Sequence, residues 1–219
     1  MPLSKKNLMK NPNIGLYALA TDEVCLLPSF SREKDVEEFS EVLGVPVVTA
    51  RVAGSSLIGA FVAGNSQGVI VPWIVQEDEV SRLKEAGIDV LVVKDRVTAL
   101  GNLVAANDRG AIISESVSKR TAQEIAEFLG VDFVHRNLAG MEVVGAAVAV
   151  TNKGFLAHPS ISEEELSLLK DLFKVEGDTT TVNFGDPFVR TGIVANSKGA
   201  IVGEDTSPVE LLKIESVLG

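Results

Sequence analysis

Apolar residues in this chain fall in short runs that enter a polar turn and leave it again, and the pattern is written five times. In the clearest copy, Leu100, Leu103, Val104, Ala105 and Ala106 lead into Asn107-Asp108-Arg109-Gly110, and Ala111, Ile112 and Ile113 lead out. Apolar flanks around an Asn-x-x-Gly turn predict a β-hairpin. The other copies turn at Thr21-Asp22-Glu23-Val24, Asn65-Ser66-Gln67-Gly68, Thr151-Asn152-Lys153-Gly154 and Asn196-Ser197-Lys198-Gly199. Their first residues, 21, 65, 107, 151 and 196, are 44, 42, 44 and 45 positions apart. A period held that tightly marks a repeat architecture. Six residues before four of the turns stands a glycine, Gly15, Gly59, Gly101 or Gly145, and before the fifth stands Arg190. The turn Asn and Gly residues are explained by their tolerance of left-handed backbone, the upstream glycines by close backbone approach around an axis.

After each hairpin comes a helical pattern and then, in most units, a third apolar run. Ser31 caps a helix with Val36, Phe39, Val42 and Leu43 on one face and Gly44 at its end, and Val45 to Val48 reads as a strand. The second unit predicts a helix from about Asp78 to Ala86, stopped by Gly87, then a strand from Ile88 to Val93. In the third, Ile125, Phe128 and Leu129 lie on the buried face of a helix ending at Gly130, with Val131 to Val134 following. Ser162 with Glu165, and Ser207 with Pro208 and Glu210, form capping boxes for the last two helices. The fifth unit then lacks its third strand.

Two strands, a helix and a strand leave one apolar helix face per unit that only a neighbouring unit can bury. The fold class predicted is therefore α/β, a five-unit pseudo-fivefold ring. One domain spans 1–219, with units at about 11–50, 51–94, 95–136, 137–180 and 181–219, and residues 1–10 close the ring. A β-propeller is the competing ring, but its blades are four-stranded and carry no regular helix.

The totals narrow the chemistry. The net charge of −10 argues against broad nucleic-acid binding, which needs a field of Lys and Arg. One cysteine, Cys25, in an apolar strand, and two distant histidines, His135 and His158, offer neither a disulfide nor a metal cluster, and no cofactor is implied. Residues 1–10 carry Lys5, Lys6 and Lys10 but no apolar signal region, so a cytoplasmic protein is expected.

Several strings are similar to those of the translation initiation factor 6 family, archaeal type, whose fold is the pentein ring. They are Asn11-Pro12-Asn13-Ile14-Gly15, Gly54-Ser55-Ser56-Leu57-Ile58-Gly59, Gly64 to Gly68, Thr98-Ala99-Leu100-Gly101-Asn102, Thr151 to Gly154, His158-Pro159, Val182-Asn183-Phe184-Gly185 and Ala195 to Gly199. The resemblance implies a non-catalytic monomer that binds the joining face of the large ribosomal subunit, beside the sarcin-ricin loop. There it blocks the small subunit, and it also has a role in large-subunit maturation. Two departures stand out: Thr21 to Val24 has no glycine, and the opening segment has only Leu3, Leu8 and Met9 for a closing strand, which predicts a looser closure.

Two alternatives remain. Guanidine-modifying pentein enzymes resemble one another in a late cysteine nucleophile and a histidine, and residues 187–219 contain neither. A repeat scaffold for another protein partner is the other. For the ribosome-binding reading the candidate residues are Asn102, Arg190, Leu57, Ala60 and Arg96. Asn102 stands where other units have Ala60, Ala146 or Thr191, so the repeat does not require it. The resemblance implies that it contacts a large-subunit protein; local hydrogen bonding is the alternative. Arg190 is either a salt-bridge partner or an interface anchor. Leu57, Ala60 and Arg96 occupy equivalent positions before the hairpins. Glu163, Glu164 and Glu165 are explained by the helix dipole rather than by a metal.

Overall fold

The computed structural model describes residues 1–219 and contains five three-stranded sheets, one per repeat. The second unit shows the plan. Its inner strand Ala63–Asn65 runs antiparallel to the middle strand Gly68–Pro72, and after the outer helix Glu77–Glu85 the strand Val90–Val93 returns parallel to the middle one. The first, third and fourth units repeat it, with outer helices Glu33–Leu43, Lys119–Leu129 and Glu163–Phe173. In the fifth, after the helix Pro208–Leu218, the missing strand is supplied by Leu3–Lys5. Leu3 pairs with Ala200 and Lys5 with Val202, in parallel register.

That closure is tighter than the opening segment suggests. The ladder extends through Lys6 N–H to Val202 O (2.8 Å) and Ala200 N–H to Pro2 O (3.0 Å). Lys6, buried, pairs with Asp35 at 3.0 Å and with Glu38, tying the segment to the helix of the first unit. Backbone and charge thus add to the apolar contacts of Leu8 with the core cluster of the first unit and of Met1 and Leu3 with that of the fifth.

The core is divided into five clusters, and each lies between two units. Ile70 and Val93 of the second unit pack with Val104, Ile113, Ile125 and Leu129 of the third, while Val69 and Val71 face the other way, onto Leu26 and Val52. A middle strand is thus buried on both faces. This is why its sequence is a continuous apolar run rather than an alternation.

Three local expectations are corrected. The apolar run before each hairpin is not all strand. It opens with a single helical turn, Ile58–Phe61, Leu100–Leu103 and Val144–Ala147 in units two to four, and a 3-10 turn at Ile14–Leu16 and Val189–Gly192. Apolar runs of that length do not distinguish a buried turn from a buried strand. The first helix starts one residue later than Ser31 implies, with Arg32 at its cap and Asp35 accepting from the Arg32 N–H at 3.3 Å. Third strands begin late, at Val47 and Val90. Gly44 and Gly87 turn the chain at positive φ (61° and 81°), and Val45 and Ile88 first seal the helix ends.

Candidate functional site: the two ends of the ring

The five helical turns meet around the axis at one end of the ring. Their backbones touch because the second residue of four of them has no side chain. A Cβ on Gly59 would lie 1.9 Å from Gly15 O, one on Gly101 2.0 Å from Gly59 O, one on Gly145 2.4 Å from Gly101 O, and one on Gly15 1.9 Å from Arg190 O. Close approach is therefore the reason for the glycine column. Arg190 ends it, and its side chain turns into the axial channel. There Nη1 donates to Gly59 O (2.8 Å) and Gly15 O (3.3 Å). Arg190 takes part in none of the ion pairs, so the expected salt bridge is absent. Burial alone pulls its pKa down to about 10, which leaves it a cation at neutral pH.

The other four candidates separate by depth. Ala60 is 8% exposed and contributes to packing rather than to surface, whereas Leu57 is 36% exposed and Arg96 is exposed with no ion pair. Asn102 is half-buried. Its backbone N–H donates to Ala99 O at 3.0 Å, but its carboxamide has no hydrogen-bond partner within the protein. The local hydrogen-bonding alternative for this side chain is thereby removed. Leu57, Arg96 and Asn102 are presented at the same end of the ring; Ala60 and Arg190 lie beneath.

Residues that the sequence reading passed over share this end. Middle strands run toward it, and Phe30, Trp73 and Ile74 follow them, all exposed. Phe184 is 84% exposed in a loop held at positive φ, with Asn183 at 50° and Phe184 at 62°. The Glu210 carboxylate holds that loop by accepting from Phe184 N–H (3.2 Å) and Gly185 N–H (2.9 Å), while also capping its own helix at Ser207 N–H (2.7 Å). Glu79 does the same for Ala53 and Gly54, and Glu165 for Ala139. Burial works against charge on Glu210. Thr181, Ser207 and Gly185 outweigh it and hold the pKa down to about 2. The only sequence signal for these clamps was the capping box. Its carboxylate, one turn into the helix, also reaches a loop more than twenty residues upstream.

The opposite end holds the hairpin turns, and there the expectation of left-handed backbone fails. Neither the turn Asn nor the turn Gly residues have positive φ. Asn107 Oδ1 accepts from Arg109 and Gly110 N–H (both 3.0 Å), and its Nδ2 reaches the next unit, donating to Thr151 O (3.1 Å) and Phe173 O (3.0 Å). Asn65 and Asn196 make the same bridges, to Asn107 O and Leu129 O and to Thr21 O and Leu43 O. The turn glycines admit neighbouring backbone: a Cβ on Gly199 would lie 1.9 Å from Val42 O. Thr21 and Thr151 bond only within their own turns, so two of the five joints lack the bridge. Over the axis, Asn152 Nδ2 donates to Asp22 (2.9 Å) and Asp108 (2.6 Å), and Ser197 N–H to Asp22 (2.7 Å). Burial pushes the Asp22 pKa up, but Ser197 and Asn152 hold it below the ordinary range.

Nothing in either end assembles a nucleophile. Cys25 is fully buried in a middle strand, its thiol pushed far up by burial. His158 Nδ1 accepts from Ser160 N–H at 3.0 Å and its ring packs edge-on against Phe188. His135 Nε2 lies 2.9 Å from Val117 O. No group of three or more His, Cys, Asp or Glu side chains could hold a metal. No helix is long and apolar enough to cross a membrane.

Comparison with known proteins supplies the identity that geometry alone does not. A solved structure of DDAH from Pseudomonas aeruginosa, a mutant complexed with citrulline, is similar with a TM-score of 0.48 and 14% identity, covering 76% of this chain and 68% of that one. Full-length relatives are far more similar. "Translation initiation factor 6" of Pyrococcus horikoshii is 43% identical over 100% of this chain and 99% of its own length. The factor of the same name from Thermoplasma acidophilum is 41% identical over 99% of both chains, and that of Methanocaldococcus jannaschii 44% identical over 95% and 94%. The eIF-6 family profile matches residues 3–217, which takes in the closing strand, every hairpin and nearly all of the last helix, and so the chain belongs to the eIF-6 family.

Proposed function

We propose that this translation factor binds the joining face of the large ribosomal subunit with the axial-turn end of its ring and sterically excludes the small subunit, without catalysis. The observation that carries the reading is the Asn102 carboxamide, presented at that end with no partner in its own protein. A half-buried amide held by fixed backbone is ready to bond a partner's backbone or side chain, and it loses little entropy in doing so. Leu57 and the exposed Phe30, Trp73 and Phe184 provide apolar area around it, and Arg96 a cation. The net charge of −10 favours ribosomal proteins as the main contact, with rRNA met at the rim. A footprint of about 1,600 Å² in total suffices for tight binding by a monomer. Cytoplasmic action, and a role in large-subunit maturation, follow from the same docking.

The test is sucrose-gradient cosedimentation of the purified protein with separated archaeal subunits, followed by a subunit-joining assay. The expected result is comigration with the large subunit alone and loss of joining in proportion to occupancy. Comigration with neither subunit, while a control factor binds normally, overturns the proposal and favours a scaffold for some other protein.

A further inference from the structure

Between the two ends the channel holds a partly open cavity of about 50 Å³. Its walls are the inner strands, aliphatic throughout apart from Gly64, and Arg190 is the only charged side chain that faces it. Nη1 of Arg190 is occupied by Gly59 O and Gly15 O, and neither Nε nor Nη2 has an acceptor in the protein. These atoms are open to the cavity, since Ser31 Oγ is the one side-chain polar atom that is both sealed and unpartnered. No carboxylate pairs with the guanidinium. Asp22 and Asp108 lie at the far end of the channel, about 10 Å away along three-residue strands. Their oxygens are already taken by Ser66, Asn152 and Ser197.

A guanidinium in this position is a half-buried cation in a narrow channel with no counter-charge. Water there would satisfy its spare donors but would leave the charge uncompensated in a channel walled by aliphatic side chains, where the attraction of an opposite charge is stronger than in bulk solvent. A water needs about 10–15 Å³ of such space, so the cavity has room for a few waters and an ion of halide size fits in it. We propose that the axial channel is a binding site for a small monovalent inorganic anion, held by Nε and Nη2 of Arg190. Bound there, the anion neutralises the residue that links the first and second axial turns and so stiffens the end of the ring that carries Asn102. This site is independent of what the ring docks on.

The probe is bromide. Wild-type crystals grown in sodium bromide and measured at the bromine edge are expected to show an anomalous peak inside the channel, within hydrogen-bonding reach of the guanidinium. Crystals of Arg190→Met grown the same way are expected to lack it. In solution at fixed ionic strength, the wild-type melting temperature should be higher in bromide than in gluconate by about 2–4 °C, a difference absent from Arg190→Met. An empty or water-filled channel in a crystal that shows surface bromides overturns the proposal. So does a peak unchanged in Arg190→Met, or an equal melting difference in both proteins. Should Arg190→Met fail to fold, the wild-type crystal decides alone.

Discussion

The two ends of the ring are held together by different chemistry, and the difference shows where a partner can be met. At the axial-turn end, neighbouring units touch backbone to backbone through the glycine column, which leaves the adjacent side chains free. At the hairpin-turn end glycines also admit neighbouring backbone, but there side chains add a second set of joints. Asn65, Asn107 and Asn196 bridge three joints, and Asp22, Asp108 and Asn152 close over the axis. Polar groups at that end are committed internally. The end built from main chain therefore keeps side chains such as Asn102 and Leu57 available for recognition.

The largest break in this comparison is expected at the glycine column. Gly101→Ala puts a methyl 2.0 Å from Gly59 O and 2.7 Å from Val62 O, and main chain on both sides cannot yield by that much. The variant should lose more than about 3 kcal/mol or fail to fold, as read by denaturant unfolding. Asn107→Ala strips two carbonyls of their donor and uncaps its own turn, and should cost about 3 kcal/mol while the axial-turn end keeps its shape.

The carboxylate clamps come next. The pKa of Glu210 is held at about 2, below the ordinary carboxylate value near 4, so its contribution is complete above about pH 4 and is lost as the pH falls toward 2. Glu210→Gln should lower stability at pH 7 by about 2 kcal/mol and flatten the loss between pH 4 and 2, measured by unfolding across that range. In the opposite direction, Thr151→Asn should add the missing bridge toward Asn196 O and Leu218 O and raise stability by about 0.5–1 kcal/mol. Smallest in stability is Asn102→Ala, expected within about 0.5 kcal/mol of wild type. Its effect belongs in subunit affinity, where cosedimentation should show a loss of about tenfold or more. Equal effects on both quantities would erase the distinction between the ends.

The sequence made the repeat, the ring and the need for a closing strand legible, because the hairpin period and the capping boxes are local signals. What it hid was the partner of each polar atom. Asn107 reads as a turn residue, and its bridge to Phe173 spans 66 positions, beyond any local pattern. Arg190 reads as a surface or ion-pair residue, because a cation whose partners in the protein are the carbonyls of Gly15 and Gly59 leaves no trace in composition. The axial helical turns were hidden by their apolar character. Asn102 was visible because it is an amide where other units have Ala60, Ala146 or Thr191, and the comparison that exposed it was internal to the chain.

The pairing of Leu3–Lys5 with Ala200–Val202 also sets an order of events. Leu3–Lys5 must wait, without their strand partner, until the roughly two hundred residues up to Val202 have been made. A ladder between such distant segments pays its loop-closure entropy late, so closing the ring is expected to be a slow, final folding step. Until it happens, the middle strand of the fifth unit has an open edge and Lys6 lacks the ion pairs that hold it. Nascent and truncated chains are thus distinguished from finished ones by one unpaired edge, and a chaperone or protease could use it to tell them apart.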